Sequence, residues 1–373
     1  MKITVKVNEF KRLLEEARAV IPKKPIPSSL VCVKVDVNDA KQATLSASNL
    51  TMSIFQAFEV VDGDTGSFLL HAKEAHAFLK RHKDGTATVE VDAKHVTIKI
   101  GQASMKIKAM AVDQFPALES MPEVKYTFSL KFFKRILAKV EAAVPDKAGR
   151  HSVPTVKIES DGSKLRAVAS DGYRIAIADA PCDGGVFELQ IQKMCLPVFK
   201  RREGAWFHFA ESDTNFFFRT EGVVLSIRKP QTKFPPVQKA LSMANFKTEF
   251  KISAGSFKEA LRQVETTVHG KVPGIHLMIS EQGLRLKSAD DEGGESETQV
   301  PAAVTGTANS TRLNLQFIDE FLSQAEGDVL VQFIDRNSLV KFSNGPNYIY
   351  LVMPLLPDKC EEAAEQESTS VSV

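Results

Sequence analysis

One short segment returns three times in this 373-residue chain, and its spacing sets the size of the folding unit. Phe10-Lys-Arg-Leu-Leu14 reappears as Phe133-Lys-Arg-Ile-Leu137 and again as Phe257-Lys-Glu-Ala-Leu261, so the three phenylalanines stand 123 and 124 residues apart. Each copy follows a short alternating strand pattern, at residues 3–7, 126–130 and 249–252. Eleven residues past each phenylalanine stands Ile21, Val144 or Val268; fourteen past it stands Lys24, Lys147 or Lys271. A second helical pattern runs to Gly85 and is echoed at Gly204 and Gly327. Phe115-Pro116, Phe234-Pro235 and Met353-Pro354 place a proline after a large apolar residue, with the prolines 119 residues apart both times. Solenoid periods run to roughly 20–50 residues, so a unit of about 120 is itself domain-sized. Three domains are therefore expected, at residues 1–121, 122–245 and 246–356. Residues 357–373 are acidic and poor in apolar groups, which predicts a disordered tail.

Within each unit, two helical patterns stand among short alternating strands, and the expected class is α+β. Phe133, Ile136, Leu137, Val140 and Val144 form one apolar stripe at helical spacing. Phe10, Leu13, Leu14, Ala17 and Ile21 repeat it, as do Phe257, Ala260, Leu261, Val264 and Val268. The phenylalanines are thus expected in cores rather than stacked on bases. Basic residues occupy the opposite faces: Lys11 and Arg12, then Lys134 and Arg135, then Lys258 and Arg262. The second helical segments add Lys80, Arg81, Lys200 and Arg201. The second helix of the third unit departs from this, with Asp319 and Glu320. A basic helix face is ordinarily solvated surface, but equivalent basic faces in three like domains can line one continuous phosphate-binding surface. Phosphate contacts carry no sequence information, which suits a protein that slides.

The net charge of +2 does not announce a nucleic-acid binder, so any DNA contact depends on where the basic residues sit. No apolar stretch is long enough to span a bilayer, and the first residues lack a signal-peptide core. Cys32, Cys182, Cys195 and Cys360 are widely separated and form no CxxC pair, which fits reduced thiols in a cytosol. The sequons at Asn49 and Asn309 read as chance. No phosphate-binding loop, dinucleotide fingerprint, HExxH or GxSxG motif occurs. The histidines lack ligand spacing, so no metal and no cofactor is expected. The most catalytic-looking cluster is His151 with Asp171 and Arg174, although Asp171-Gly172 also reads as an ordinary turn pair.

Leu165-Arg-Ala-Val-Ala-Ser-Asp-Gly-Tyr-Arg-Ile-Ala176 resembles the pattern L-R-x-V-A-[ST]-D-G-[HY]-R-[LI]-A of bacterial sliding clamps, the beta subunits of DNA polymerase III. Tyr350-Leu-Val-Met-Pro-Leu355 and the paired Phe-Pro landmarks carry the same resemblance, which runs from Met1 to about Leu355. It implies three repeated clamp domains per chain, each with two helices packed on antiparallel sheet. Two chains then associate head to tail and close a six-domain ring. The implied function is non-enzymatic. Such a cytoplasmic, nucleoid-associated processivity factor encircles duplex DNA and tethers replicative and translesion polymerases, the clamp loader and mismatch-repair proteins. Partner peptides enter a pocket between the second and third domains. The matching positions are Val153, Ser170, Gly172, Tyr173, Arg174, Ile175, Pro235, Lys239, Ala240, Asn314, Phe317, Leu351, Val352, Met353, Pro354 and Leu355. Lys24 and Lys147 match DNA-contacting loop positions, and Lys271, their counterpart in the repeat, and Arg150 are expected to face DNA with them. A dimer seam is implied at Met105 and Ile107 on one side and Thr266 and Thr267 on the other, with Lys73 alongside.

Three departures stand out. Leu356 and the acidic tail follow a Met-Pro motif near which the family often ends, Lys239-Ala240 replaces a common Arg-Val pair, and Thr266 and Thr267 replace apolar residues. Alternatives to the replicative clamp are a specialised second-copy clamp, a ring or filament scaffold, and an enzyme using His151, Asp171 and Arg174. The polar seam predicts a weak dimer: sedimentation over a concentration series should show dissociation towards nanomolar protein, and a dimer intact there contradicts the reading.

Overall fold

The computed structural model describes residues 1–373 except 243, 269–272, 290–293 and 356–373, and leaves the side chains of Lys239 and Leu241 undescribed. Seven helices are found among the described residues: α1 (Val7–Arg18), α2 (Ala72–Leu79), α3 (Leu130–Val140), α4 (Leu196–Lys200), α5 (Gln238–Leu241), α6 (Ala254–Glu265) and α7 (Leu315–Gln324). The remainder is largely antiparallel strand, so the α+β expectation holds.

The chain divides into two compact units. One comprises Met1–Lys131, Cys182–Gly185 and Met194–Gln231; the other comprises Phe132–Pro181, Val186–Lys193 and Thr232–Val373. In the first unit a five-stranded sheet runs Asp62–Gly63, Lys2–Lys6, Thr86–Val91, His95–Ile100, Ala103–Lys108. An eight-stranded sheet runs Tyr126–Ser129, Trp206–Glu211, Asn215–Thr220, Val223–Arg228, Met52–Glu59, Gln42–Ser48, Cys32–Val37, Gly66–His71. This sheet joins two sequence repeats, because Leu225 pairs with Ile54 across the boundary. The second unit repeats the device. Its seven-stranded sheet places Arg174–Gln192 against Tyr348–Val352, with Ile175 opposite Leu351. A four-stranded sheet, Glu295–Val300, Gly283–Ala289, Gly274–Ser280, Asn309–Asn314, completes it. Strand pairing leaves fewer open edges when a sheet continues from one repeat into the next.

The first four residues of each apolar stripe are core, as their spacing predicts, whereas Ile21 and Val268 lie past the helix ends and are half-buried. Phe10, Phe133 and Phe257 are fully buried, and so are Leu14, Leu137 and Val264 at later turns of those helices. Aromatic packing fills the space behind them. In the first unit Phe218 meets Phe199 edge-on at 4.9 Å, with Phe207 at 5.7 Å and Phe209 at 5.3 Å. In the second unit Phe321 lies 5.0 Å from Tyr348 and 5.4 Å from Phe342. Offset and edge-on pairs at these distances add to area burial because ring edges and faces carry opposite partial charge.

The second helices stop several residues before the repeated glycines, which instead turn the chain into the next strand. Gly85, Gly204 and Gly327 adopt φ values of 108°, 115° and 67°, a region that penalises a Cβ. The carbonyls of Gly85 and Gly327 accept the first N–H of α1 and the N–H of Ala254 in α6, at 3.0 and 2.8 Å. Gly85 and Gly327 thus meet the start of a repeated helix, and beside Gly204 the Ala205 carbonyl does the same for Leu130 at 3.0 Å.

In the first unit the buried Arg202 guanidinium donates to Glu16 on α1 at 2.9 Å, and Gln56 donates to the same oxygen at 3.2 Å. This polar tie holds α1 to the eight-stranded sheet. Replacing the central ring of the aromatic cluster, Phe218→Ala, is expected to cost about 3–5 kcal/mol through lost burial and the cavity left behind. A urea midpoint that does not move would contradict this packing.

Candidate functional site

The residues with the strongest motif meet at one end of the seven-stranded sheet. The turn 170–174 links Thr155–Ser170 to Arg174–Gln192 and is held by its own polar side chains. Ser170 Oγ donates to the Arg174 carbonyl at 2.9 Å. Asp171 accepts from the Tyr173 and Arg174 N–H groups at 2.9 and 3.0 Å. Gly172 takes φ 93°, the left-handed geometry an Asp-Gly pair favours. The Tyr173 carbonyl then accepts the Met353 N–H at 2.8 Å, continuing the pairing of Arg174 with Val352 and Ile175 with Leu351.

Arg174 is the centre of this arrangement. Its guanidinium is buried and donates to Asp171 at 2.9 Å, to the Tyr350 hydroxyl at 2.9 Å, to the Ala142 carbonyl at 2.5 Å and to Glu320. The same group stacks 4.0 Å from the Phe317 ring centroid. A buried guanidinium requires opposite charge and acceptors in its own plane, and it finds both here. Burial pushes the Tyr350 phenol well above its ordinary range, against the opposing pull of Arg174, so it stays a neutral acceptor. Asp171, held by the turn and by Arg174, forms a polar knot with it. His151 is exposed and its Cβ lies 3.9 Å from where a Cβ on Gly172 would stand.

Outside that knot the surface is apolar. Tyr173 is 67% exposed and Met353 48% exposed, and one backbone hydrogen bond joins them. Ile175, Phe317, Val153, Pro354 and Leu355 are half-buried, while Leu351 and Val352 form the buried floor. Leu355 donates its N–H to Arg312 at 2.8 Å, and Asn314 caps α7 by accepting from Gln316 at 2.9 Å. Pro235 and Ala240 are half-buried in the same compact unit, the latter in α5 beside Lys239, whose side chain lies outside the described residues.

The basic candidates occupy exposed positions on helices and turns. Arg12, Lys24, Lys80, Arg81, Arg135, Lys147, Arg150, Lys200, Arg201 and Arg262 are exposed; Lys11, Lys134 and Lys258 are partly covered. Lys271 lies outside the described residues, as do residues 357–373. Several of these cations have local partners: Arg12 pairs with Glu16 at 3.0 Å, Arg135 lies over Phe132, and Lys258 approaches Asp319 at 3.9 Å. The acidic residues of α7 are accounted for in the same way. Glu320 faces Arg174 and Asp319 faces Lys258, so much of the negative charge of this helix is compensated within the unit.

Met105 and Ile107 lie on Ala103–Lys108, the edge strand of the five-stranded sheet; Ile107 is buried and Met105 half-buried. Lys73 is exposed on α2. Thr266 and Thr267 follow α6. Thr267 Oγ1 is 2.6 Å from Ser288 Oγ, and Thr266 Oγ1 is 3.4 Å from the Gln263 carbonyl and 3.5 Å from Ser296 Oγ. Among the described residues no cluster of three or more His, Cys, Asp or Glu is arranged to hold a metal, and no helix is long and apolar enough to cross a membrane.

Known proteins bear on this geometry. The N-terminal domain of the DNA polymerase III beta subunit matches residues 1–119 and its C-terminal domain matches residues 242–356, together more than half of the chain. The chain belongs to the DNA polymerase III beta-subunit family. The beta sliding clamp of Vibrio cholerae is 20% identical over 369 residues, covering 95% of this chain and 100% of the relative. That of Synechocystis is 21% identical, covering 95% and 99%. The solved sliding clamp of Bacillus subtilis superposes with a TM-score of 0.90 at 17% identity, over 96% of this chain and 100% of that one. The Pseudomonas aeruginosa beta subunit gives 0.88 at 18%, with the same coverage. The fold is thus held at about one identical residue in five.

The Arg174 motif is legible in the sequence, but its partners Glu320, Tyr350 and the Ala142 carbonyl are not. A signal for Glu320 existed: Phe317 and Glu320 are three residues apart on α7 and share a face. Arg174→Ala should destabilise the second unit by about 3–5 kcal/mol, since it leaves Glu320 and Asp171 without their cation. Arg174→Lys should recover little of this, because an ammonium cannot serve four divergent acceptors and stack on Phe317. A lysine variant with an unshifted urea midpoint would contradict the role assigned to the planar fork.

Proposed function

We propose that this protein is a DNA polymerase processivity factor, a sliding clamp that encircles duplex DNA as a ring of two copies and has no active site of its own. The observation that carries the reading is the likeness to beta sliding clamps over 95% of this chain and the whole length of the relative. Duplex DNA presents the same phosphate charge at every base pair, so exposed lysines and arginines on repeated helices suit binding without sequence preference. The edge strand Ala103–Lys108 offers unpaired backbone to a second copy, with Thr266 and Thr267 on the partner side of the seam. The apolar surface around Tyr173 and Met353, floored by Leu351 and Val352, suits short partner peptides with leucine or phenylalanine anchors. On this reading those peptides belong to polymerases, the clamp loader and mismatch-repair proteins, and the protein works in the cytoplasm with the nucleoid. Domains of residues 1–121, 122–245 and 246–356 give the subunit its three basic faces.

The test is topological. After loading onto a nicked circular duplex, the protein should stay bound through gel filtration in high salt and leave once the circle is linearised. Equal retention on circles and linear fragments would sink the encircling mechanism. Tyr173→Ala or Met353→Ala should leave that retention intact and weaken peptide binding by about tenfold, on the scale of a central contact residue.

A further inference from the structure

We infer that residues 356–373 act as a built-in competitor for the apolar surface at Tyr173 and Met353, an inference that rests on the peptide-binding reading of that surface. Four observations lead there. First, the described chain ends on the surface itself: Met353 is bonded to Tyr173 and Leu355 to Arg312, so the following segment starts beside the place it would cover. Second, Tyr173 and Met353 are large apolar groups left in water, 67% and 48% exposed. Third, the neighbouring loop is cationic. Lys147 and Arg150 are exposed, whereas Asp146 in the same loop is held by Lys193 at 2.7 Å and Asp171 by Arg174. His151, adjacent to Arg150, abuts the Gly172 turn, which brings this loop against the Tyr173 edge. Fourth, residues 356–373 complement both features. They open with Leu356-Pro357 and carry Asp358, Glu361, Glu362, Glu365 and Glu367 against Lys359 alone, a net charge of −4.

The energetics favour a weak, reversible cover. A tethered segment meets its site at an effective concentration of the order of a millimolar, set by the length of the tether. A chain of nine residues spans on the order of 16 Å, enough to carry the glutamates past the starting point without stretching. With an intrinsic tail affinity of roughly 0.1–1 mM, the apparent affinity of an incoming peptide falls by about two- to tenfold. Partners with strong anchors would still bind and weak ones would be filtered out. The acidic segment would also mask Lys147 and Arg150 until a partner displaced it, and its hold weakens with salt, since exposed charges are screened.

The experiment compares the full chain with a chain ending at Leu355, using a fluorescein-labelled Gln-Leu-Ala-Leu-Phe peptide and fluorescence anisotropy. At low salt the shortened chain should bind it about two- to tenfold more tightly, and the gap should close in 0.5 M NaCl, where the Debye length falls to about 4–5 Å. A full-length variant with E361Q, E362Q, E365Q and E367Q should behave like the shortened chain. Equal affinities for the full and shortened chains overturn the inference. A gain on shortening that the glutamine variant fails to reproduce overturns its charge-held form. If the shortened chain binds no peptide at all while full-length protein is still retained on nicked circles, the peptide-binding reading itself falls, and this inference with it.

Discussion

The second unit is organised around the burial of one cation. Arg174 sits at the start of a strand, under a turn, between α7 and the segment that follows α3, and each neighbour supplies an acceptor. A guanidinium out of water is tolerated only if its donors are met in plane, so Asp171, Glu320, Tyr350 and the Ala142 carbonyl must keep their places together. That requirement couples the turn, two helical segments and the strand Tyr348–Val352 into one body. Tyr173 and Met353, on the same turn and strand, are exposed and joined by a backbone hydrogen bond. For the proposed peptide-binding role such a rigid base is favourable, since a preformed site loses less entropy when it is occupied.

Sheet continuity is the second constraint. The repeats do not fold as three closed objects, because Val223–Arg228 pairs with Met52–Glu59 and Arg174–Gln192 pairs with Tyr348–Val352. Each such junction hides two strand edges that would otherwise invite pairing with other chains. It also explains how the compact units cut through the second repeat: strands on one side of it belong with the first repeat, and strands on the other with the third.

Some of the site was plain in the linear chain and some was hidden. The helix stripes were legible because a periodicity of 3.6 residues is local, and Phe10, Phe133 and Phe257 are buried as that periodicity requires. The turn at Asp171-Gly172 was legible for the same reason, as its hydrogen bonds close within four residues. The second helix of the first repeat ends at Leu79 although Lys80, Arg81 and Lys83 are good helix formers, and the chain leaves it through turn bonds from Arg81 and His82 to Phe78 and Leu79. Asp319 and Glu320 looked like a gap in a basic face. Their partners, Lys258 and Arg174, lie far away in the chain, so no local pattern announces them.

From the sequence alone came the unit length, the threefold repetition, the α+β class and the core-facing side of each repeated helix. All of these rest on interactions within about a dozen residues or on recurrence itself. Which strands meet across repeats, which charges are paired, and that Arg174 is a buried hub were decided only in three dimensions. The reason is physical. Sheet register and buried ion pairs join groups as far apart in the chain as Arg202 and Glu16, 186 residues, and their energy depends on burial that no single segment possesses by itself.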